Sequence, residues 1–258
     1  MSSWGTQAAI VTGCGSAQGI GMACARALGE QGVSLVITAT GEHIFERTAE
    51  LTADGITTIG VVADLRDPEQ VERLHHACIA EFGAPSILVN NAGMTERGAV
   101  VGSGSIDEVS LHEWRGGLQR NLDTAFLMSR AVIPGMREYG YGRIVNIASV
   151  TGPIVAMRKE AAYAAAKAGM LGLTRAVAID EAEHGITVNA VAPGWIATAV
   201  LAGPEALQGL ATPMGRSGTP DEIAGAVAWL ASPTAGYITG QIIVIDGGNS
   251  IAEERATS

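Results

Sequence analysis

The chain has 258 residues, enough for one α/β unit with a large core and short for two complete ones. Sixteen Lys and Arg stand against 26 Asp and Glu, a formal charge of −10 with no basic run, so a nucleic-acid backbone is repelled on average. Hydrophobic residues make up 47% and there are 34 glycines, which suits a compact, tightly turned chain and not a disordered or fibrous one.

In chain order, short apolar runs predict strands over 8–12, 33–39, 57–63, 86–90, 142–148, 186–191 and 241–245. Helical periodicity fills the gaps over 19–31, 42–53, 68–82, 107–138, 161–183 and 220–231. Strands as apolar as Ile242-Ile243-Val244-Ile245 are covered on both faces, as in a parallel sheet between helices. The repeated β-α order therefore predicts a doubly wound parallel sheet of about seven strands, with residues 1–258 as a single domain. The 197–218 stretch, rich in Ala, Gly and Pro, is the candidate for a mobile segment over a pocket. Cys14, Cys24 and Cys78 form no C-x-x-C pair and leave one over, so no disulfide framework or metal site is expected. The N-terminus lacks a signal-peptide pattern, and no apolar run of about 18 residues predicts a membrane span. A soluble cytoplasmic protein is expected.

The first strand runs into Thr12-Gly13-Cys14-Gly15-Ser16-Ala17-Gln18-Gly19-Ile20-Gly21 and then opens a helix. Glycines there let a backbone approach a pyrophosphate, and a helix N-terminus supplies free N–H groups. The spacing is G-x-x-x-G-x-G from Gly15 and not the strict G-x-G-x-x-G. Candidate contacts of a dinucleotide are Gly13, Gly15, Ser16, Gly19 and Ile20. At the end of the second strand, Ala39 stands where an acid would bind the ribose hydroxyls of NAD(H). Flanking Thr38 and Thr40 carry hydroxyl donors, yet both are also ordinary β-branched strand residues, and the glycine turn has no Arg or Lys. The reading favours NADP(H) over NAD(H).

Tyr163-Ala-Ala-Ala-Lys167 puts a phenol and an ammonium on one helix face. A free tyrosine is a poor acid at neutral pH, and a nearby positive charge lowers its pKa. A surface Tyr–Lys pair is the plain alternative. Ser149, at the C-terminal end of a strand where open α/β sheets bind ligands, shifts the weight toward catalysis.

With these motifs goes a series in fixed order: Asp64-Leu65, Asn90-Asn91-Ala92-Gly93, Asn121, Pro193-Gly194 and Asp246-Gly247-Gly248. In this the chain resembles the short-chain dehydrogenase/reductase family over nearly its whole length, and among its members bacterial 3-oxoacyl reductases. The resemblance implies a Rossmann-type fold and hydride exchange between NAD(P)(H) and a carbonyl or secondary alcohol, without a metal. It implies that Tyr163 is the general acid/base, Ser149 holds the carbonyl oxygen, and Lys167 lowers the Tyr163 pKa and binds the nicotinamide ribose. Asn121 would support a water-linked proton relay. Asp64 would accept from the adenine amino group beside Leu65, and Asn91, Ala92 and Gly93 would line the cofactor. Pro193, Gly194, Ile196 and Thr198 would bind the nicotinamide and its carboxamide. A homotetramer is also implied.

The places before the fifth and sixth strands, basic in enzymes that take acyl carrier protein, hold Gly140-Tyr141 and His184 here. With a charge of −10 this disfavours an acidic carrier and favours a small ketone, alcohol or sugar-like substrate. The alternatives are a 3-oxoacyl thioester reductase and, in another class, an idle NAD(P)-binding sensor or scaffold. The idle reading is opposed by the presence of Tyr163, Lys167, Ser149 and Asn121 together. The five histidines lack triad spacing and read as ordinary residues, and Met128, Met136 and Met170 read as core.

Overall fold

A computed structural model describes residues 7–93, 104–198 and 204–253, with the backbone alone for 204–206. Seven strands form one fully parallel sheet: β1 (Ala8–Thr12), β2 (Ser34–Ala39), β3 (Thr58–Val62), β4 (Ile87–Asn90), β5 (Gly142–Ile147), β6 (Ile186–Pro193) and β7 (Ile242–Ile245). Their spatial order is β3-β2-β1-β4-β5-β6-β7, so the chain winds outward from β1 in one direction and from β4 in the other. The split between β1 and β4 is the switch point at which such sheets bind ligands.

The strand alternation divides the core. Ala9, Val11, Leu35, Ile37, Ile87, Val89 and Val145 face α1 (Ile20–Gly29) and α8 (Pro220–Ala231), whose Leu28, Ile223, Val227 and Leu230 complete that layer. Ala8, Ile10, Val36, Leu88, Ile144 and Val188 face the other way, toward α3 (Pro68–Phe82) and α5 (Thr124–Tyr139). Met128, Met136 and Met170 are buried as expected. The remaining helices are α2 (Ile44–Ala53), α4 (Leu111–Leu118), α6 (Ala161–Glu181) and α7 (Pro204–Leu210). No helix among the described residues is long and apolar enough to cross a membrane.

The 107–138 helix of the sequence reading is two helices joined by a π-helical turn, Gln119–Asp123. It begins only at Leu111 because Ser110 and Glu113 form a reciprocal capping box, which satisfies two end donors at that point. β6 extends two residues past the expected end, to Pro193, because β7 pairs with it there. The 197–218 stretch is tied at its ends: Ala197 N–H donates to the Gly218 carbonyl (2.8 Å) and Gly218 N–H to Trp195 (2.9 Å). It also contains α7, although residues 199–203 lie outside the described residues, as do 94–103.

Candidate active site

Parallel strands bring all their C-terminal ends to one edge, and that edge collects the candidate residues. Ser149 follows β5, and the first turns of α6 carry Tyr163 and Lys167 beside it. Lys167 is 3% exposed, and its ammonium donates to the Ile147 carbonyl at 2.8 Å. The same Nζ lies 5.7 Å from the Tyr163 ring centre. The Ser149 hydroxyl lies near the Tyr163 phenol and acts to lower its pKa. Its Oγ also accepts from the Thr151 amide at 3.1 Å, which fixes its rotamer. Beyond it, the 150–160 loop crosses α6 so closely that a side chain at Gly152 (φ 104°) would strike the Ala164 carbonyl.

Burial pushes the Tyr163 phenol up, the neighbouring Ser149 hydroxyl partly offsets that, and the Glu160 carboxylate adds to the rise. Desolvation draws the Lys167 ammonium down to about 8. A protonated phenol suits an acid that gives a proton to a carbonyl oxygen.

Asn121 sits in the π-helical turn, 5% exposed. Its Nδ2 donates to Gly117 at 3.1 Å, while its Oδ1 is buried without a partner. Such turns place an odd residue inside a helix at the expense of a regular bond, and this one packs against α6. An orphaned buried oxygen in that position fits a bound water.

On the other side of the switch point the site is backbone. Gly13 (φ 73°) has room for no Cβ, which would meet Asn91 Nδ2 at 2.8 Å and Ala92 Cα at 2.9 Å. Asn91 Nδ2 donates to the Thr12 and Gly13 carbonyls (3.0 and 3.1 Å), locking the β4 turn onto the β1 turn. Gly93 (φ 150°) passes so near Asn121 that a Cβ would lie 2.8 Å from its Oδ1. Gly19 precedes α1 with no side-chain cap, and its amide donates to Ser16 at 3.1 Å. The first-turn amides of α1, from Ile20 onward, therefore face the turn unpaired. A bare turn, an uncapped helix start and the orphaned Asn121 oxygen fit a dinucleotide with its pyrophosphate on α1.

Not every candidate reaches that crevice. Thr38 is 1% exposed, its hydroxyl inside the sheet layer without a partner, so Ala39 and Thr40 alone border the surface at the end of β2. Leu65 is core. Asp64 is gripped by Arg66, whose Nε reaches Oδ1 at 2.9 Å and Nη2 reaches Oδ2 at 2.6 Å, which holds the carboxyl below its usual range. That pairing gives Asp64 a loop-holding role and leaves its carboxylate partly exposed. Pro193 ends β6, and Gly194 is bare because a Cβ would meet that of Asp246 at 2.6 Å. Ile196 is buried, bridged to Gly218, and Thr198 is half-buried at the end of the described segment.

Sequence reasoning missed one support: Thr12 Oγ1 accepts from the amides of Asn91 and Ala92 (both 2.9 Å) and donates to Val89 (3.2 Å), so one buried hydroxyl sets the β4 turn. The only signal was a polar residue in an otherwise apolar strand. Asn90, for which the resemblance implies a sheet-stabilising role, donates to Asn146 (2.9 Å), and Asn146 to Thr174 (2.9 Å), a polar chain from β4 through β5 to α6.

A family model described as "Enoyl-(Acyl carrier protein) reductase" matches residues 13–250. The chain belongs to the short-chain dehydrogenase/reductase family. It is an oxidoreductase acting on CH–OH and carbonyl groups. The 3-oxoacyl-(acyl-carrier-protein) reductase FabG of Vibrio cholerae is 40% identical over 244 residues, 93% of this chain and 96% of the relative. The cis-4-hydroxycyclohexanecarboxylate dehydrogenase of Sinomonas cyclohexanicum is 37% identical over 244 residues, 93% of this chain and 95% of that one. A variant of the actinorhodin polyketide ketoreductase, solved with NADPH, superposes with a TM-score of 0.87 at 34% identity, covering 96% of this chain and 98% of its own. In this dehydrogenase/reductase, the expected α/β doubly wound fold is the observed one.

Proposed function

We propose that this chain reduces a ketone on a small molecule, with NADP(H) preferred to NAD(H). Tyr163 gives its proton to the carbonyl oxygen, and Ser149 donates a hydrogen bond to that same oxygen. Lys167, seated on the Ile147 carbonyl, faces the phenol and binds the nicotinamide ribose. Asn121 holds the water through which the phenol's proton is replaced. A bound nicotinamide supplies the hydride. The observation that carries this reading is the buried Lys167 ammonium, held on the Ile147 carbonyl at 2.8 Å and 5.7 Å from the Tyr163 ring, with Ser149 following β5 beside them.

NADP(H) is supported by Ala39, which leaves no carboxylate at the end of β2 to repel a 2′-phosphate. The small substrate is supported by the far edge of the sheet. Gly140 and Gly185 lie against one another there, so the two places without a basic residue form one patch. Arg137 beside it pairs with Glu181 (2.5 Å), and the Arg143 guanidinium is buried against the Gly185 carbonyl and the Tyr141 ring. Both cations there are engaged, so the patch offers an acidic carrier little to dock on. The Sinomonas relative is named for a free hydroxy acid. The second reading, a 3-oxoacyl thioester reductase, is favoured by the name of the Vibrio relative. A homotetramer is supported by apolar side chains left exposed on α5, α6 and the C-terminal edge: Phe126, Ile179, Tyr237 and Ile251. Three unpaired thiols fit a reducing cytoplasm, and residues 1–258 are read as one catalytic and cofactor-binding unit.

The test is nicotinamide oxidation with NADPH and with NADH over acetoacetyl thioesters, small ketones, diketones and keto sugars. Activity on free ketones or sugars, faster with NADPH, is expected. Turnover confined to thioesters would replace the small-substrate reading with the second one.

A further inference from the structure

His43 lies where the chain leaves β2 for α2, and its ring folds back over two glycines. A Cβ built on Gly41 would meet its Cε1 and Nδ1, each at 2.7 Å. One on Gly15 would run into its Nε2, with Cδ2 at 3.1 Å and the Ala39 methyl at 3.4 Å from the same point. The imidazole therefore bridges the glycine turn after β1 and the end of β2. The side chain is exposed, does not cap α2, and neither ring nitrogen has a hydrogen-bond partner among the described residues.

That bridge is where a doubly wound sheet holds the adenosine ribose of a dinucleotide, between the first turn and the tip of the second strand. A 2′-phosphate there needs a donor, preferably a cation. The glycine turn offers Ser16, Ala17 and Gln18, with no cation. Arg47 on α2 is taken by Glu46 (3.1 Å) and Glu50 (2.8 Å), and Arg66 by Asp64 (2.6 Å). What remains beside Ala39 is the neutral Thr40 hydroxyl and an imidazole whose nitrogens have no partner among the described residues, the only one of the two that can carry a positive charge. A neutral imidazole donates one N–H and an imidazolium two, so the ring serves in either form. The exposed carboxylates of Glu42 and Glu46 nearby keep the resulting preference moderate.

We propose that His43 is the specificity-determining residue for the cofactor, reading the 2′-phosphate of NADP(H) across the bare Gly15–Gly41 gap. This rests on the NADP(H) reading of the site. The test is equilibrium binding, followed by the fluorescence of the reduced nicotinamide, for NADPH and NADH on the full chain and on His43→Ala and His43→Gln. His43→Ala should lose about tenfold on NADPH, as for one hydrogen bond to a charged group, and stay within about twofold on NADH. His43→Gln, which keeps a neutral donor, should fall between. Equal weakening for both cofactors, no change, or tighter NADPH binding in the alanine variant would each overturn the proposal. Wild-type preference for NADH would defeat the NADP(H) reading alone. The NADPH-specific loss in the variant would still decide His43.

Discussion

The two sides of the crevice are built from different materials. From β1 to β3 the walls are main chain: Gly13, Gly19 and the uncapped start of α1, held together by Asn91 and Thr12. From β5 to α6 the walls are buried polar side chains, with Lys167 on a carbonyl and beside the Tyr163 ring, and Asn121 with an oxygen left over. A backbone wall is fixed by what has no room to exist, so it is sensitive to an added methyl and indifferent to charge. A wall of desolvated side chains has protonation states set by burial, and it stores unfavourable energy that function requires.

The sharpest way to break this comparison is Tyr163→Phe. Removing the phenol oxygen from the side-chain wall should cut kcat by about 10²–10⁴-fold. NADPH binding, measured by fluorescence titration, should stay within about twofold because the other wall is untouched. Turnover that survives would show that another group is the acid.

The backbone wall predicts the reverse pattern. Gly13→Ala should destabilise the chain by about 2–3 kcal/mol in urea, because a methyl must enter an occupied space at φ 73°. Gly32→Ala is the control: φ is 88° there but nothing lies within 4 Å, so only the backbone strain of about 1 kcal/mol remains. Equal losses at both positions would mean that close approach at Gly13 contributes nothing.

The smallest effect concerns stored energy. Burial lowers the Lys167 pKa from 10.5 to about 8, so the folded state holds its charged form at a disadvantage. Below about pH 8 the penalty is complete. As pH rises from there toward 10.5 the unfolded chain binds more protons than the folded one, and this group's contribution to stability improves. Lys167→Met should therefore raise the thermal midpoint at pH 7 by a few degrees, after the lost Ile147 bond is allowed for. The advantage should shrink between pH 8 and 10.5, while activity falls. A lower midpoint at pH 7 would show the lysine to be stabilising where it sits.

Most of the first wall could be read from the chain itself. The glycine turn, the strand before it and the helix after it lie within some twenty consecutive residues, and glycine's freedom and strand alternation act over that range. The Tyr163/Lys167 pair was legible for the same reason, being one helical turn long. Hidden were the Arg66 grip on Asp64, the burial of Thr38 and the break at Asn121. Hidden too was the His43 ring over Gly15. The 107–138 pattern reads as continuous because the break is a single π-helical turn, one added residue within an otherwise helical run.

By itself the sequence determined the alternation of strands and helices, the glycine-rich turn after the first strand, and the spacing of the reacting groups. All of these follow from local backbone geometry. The tertiary structure decided which way the pKa values move, which carboxylates and guanidiniums are already paired, and which donors remain free for a ligand. Those depend on desolvation and on contacts between residues far apart in the chain, such as Ile147 with Lys167 and Gly15 with His43. No local pattern encodes how much water is left around a group once the sheet has closed over it.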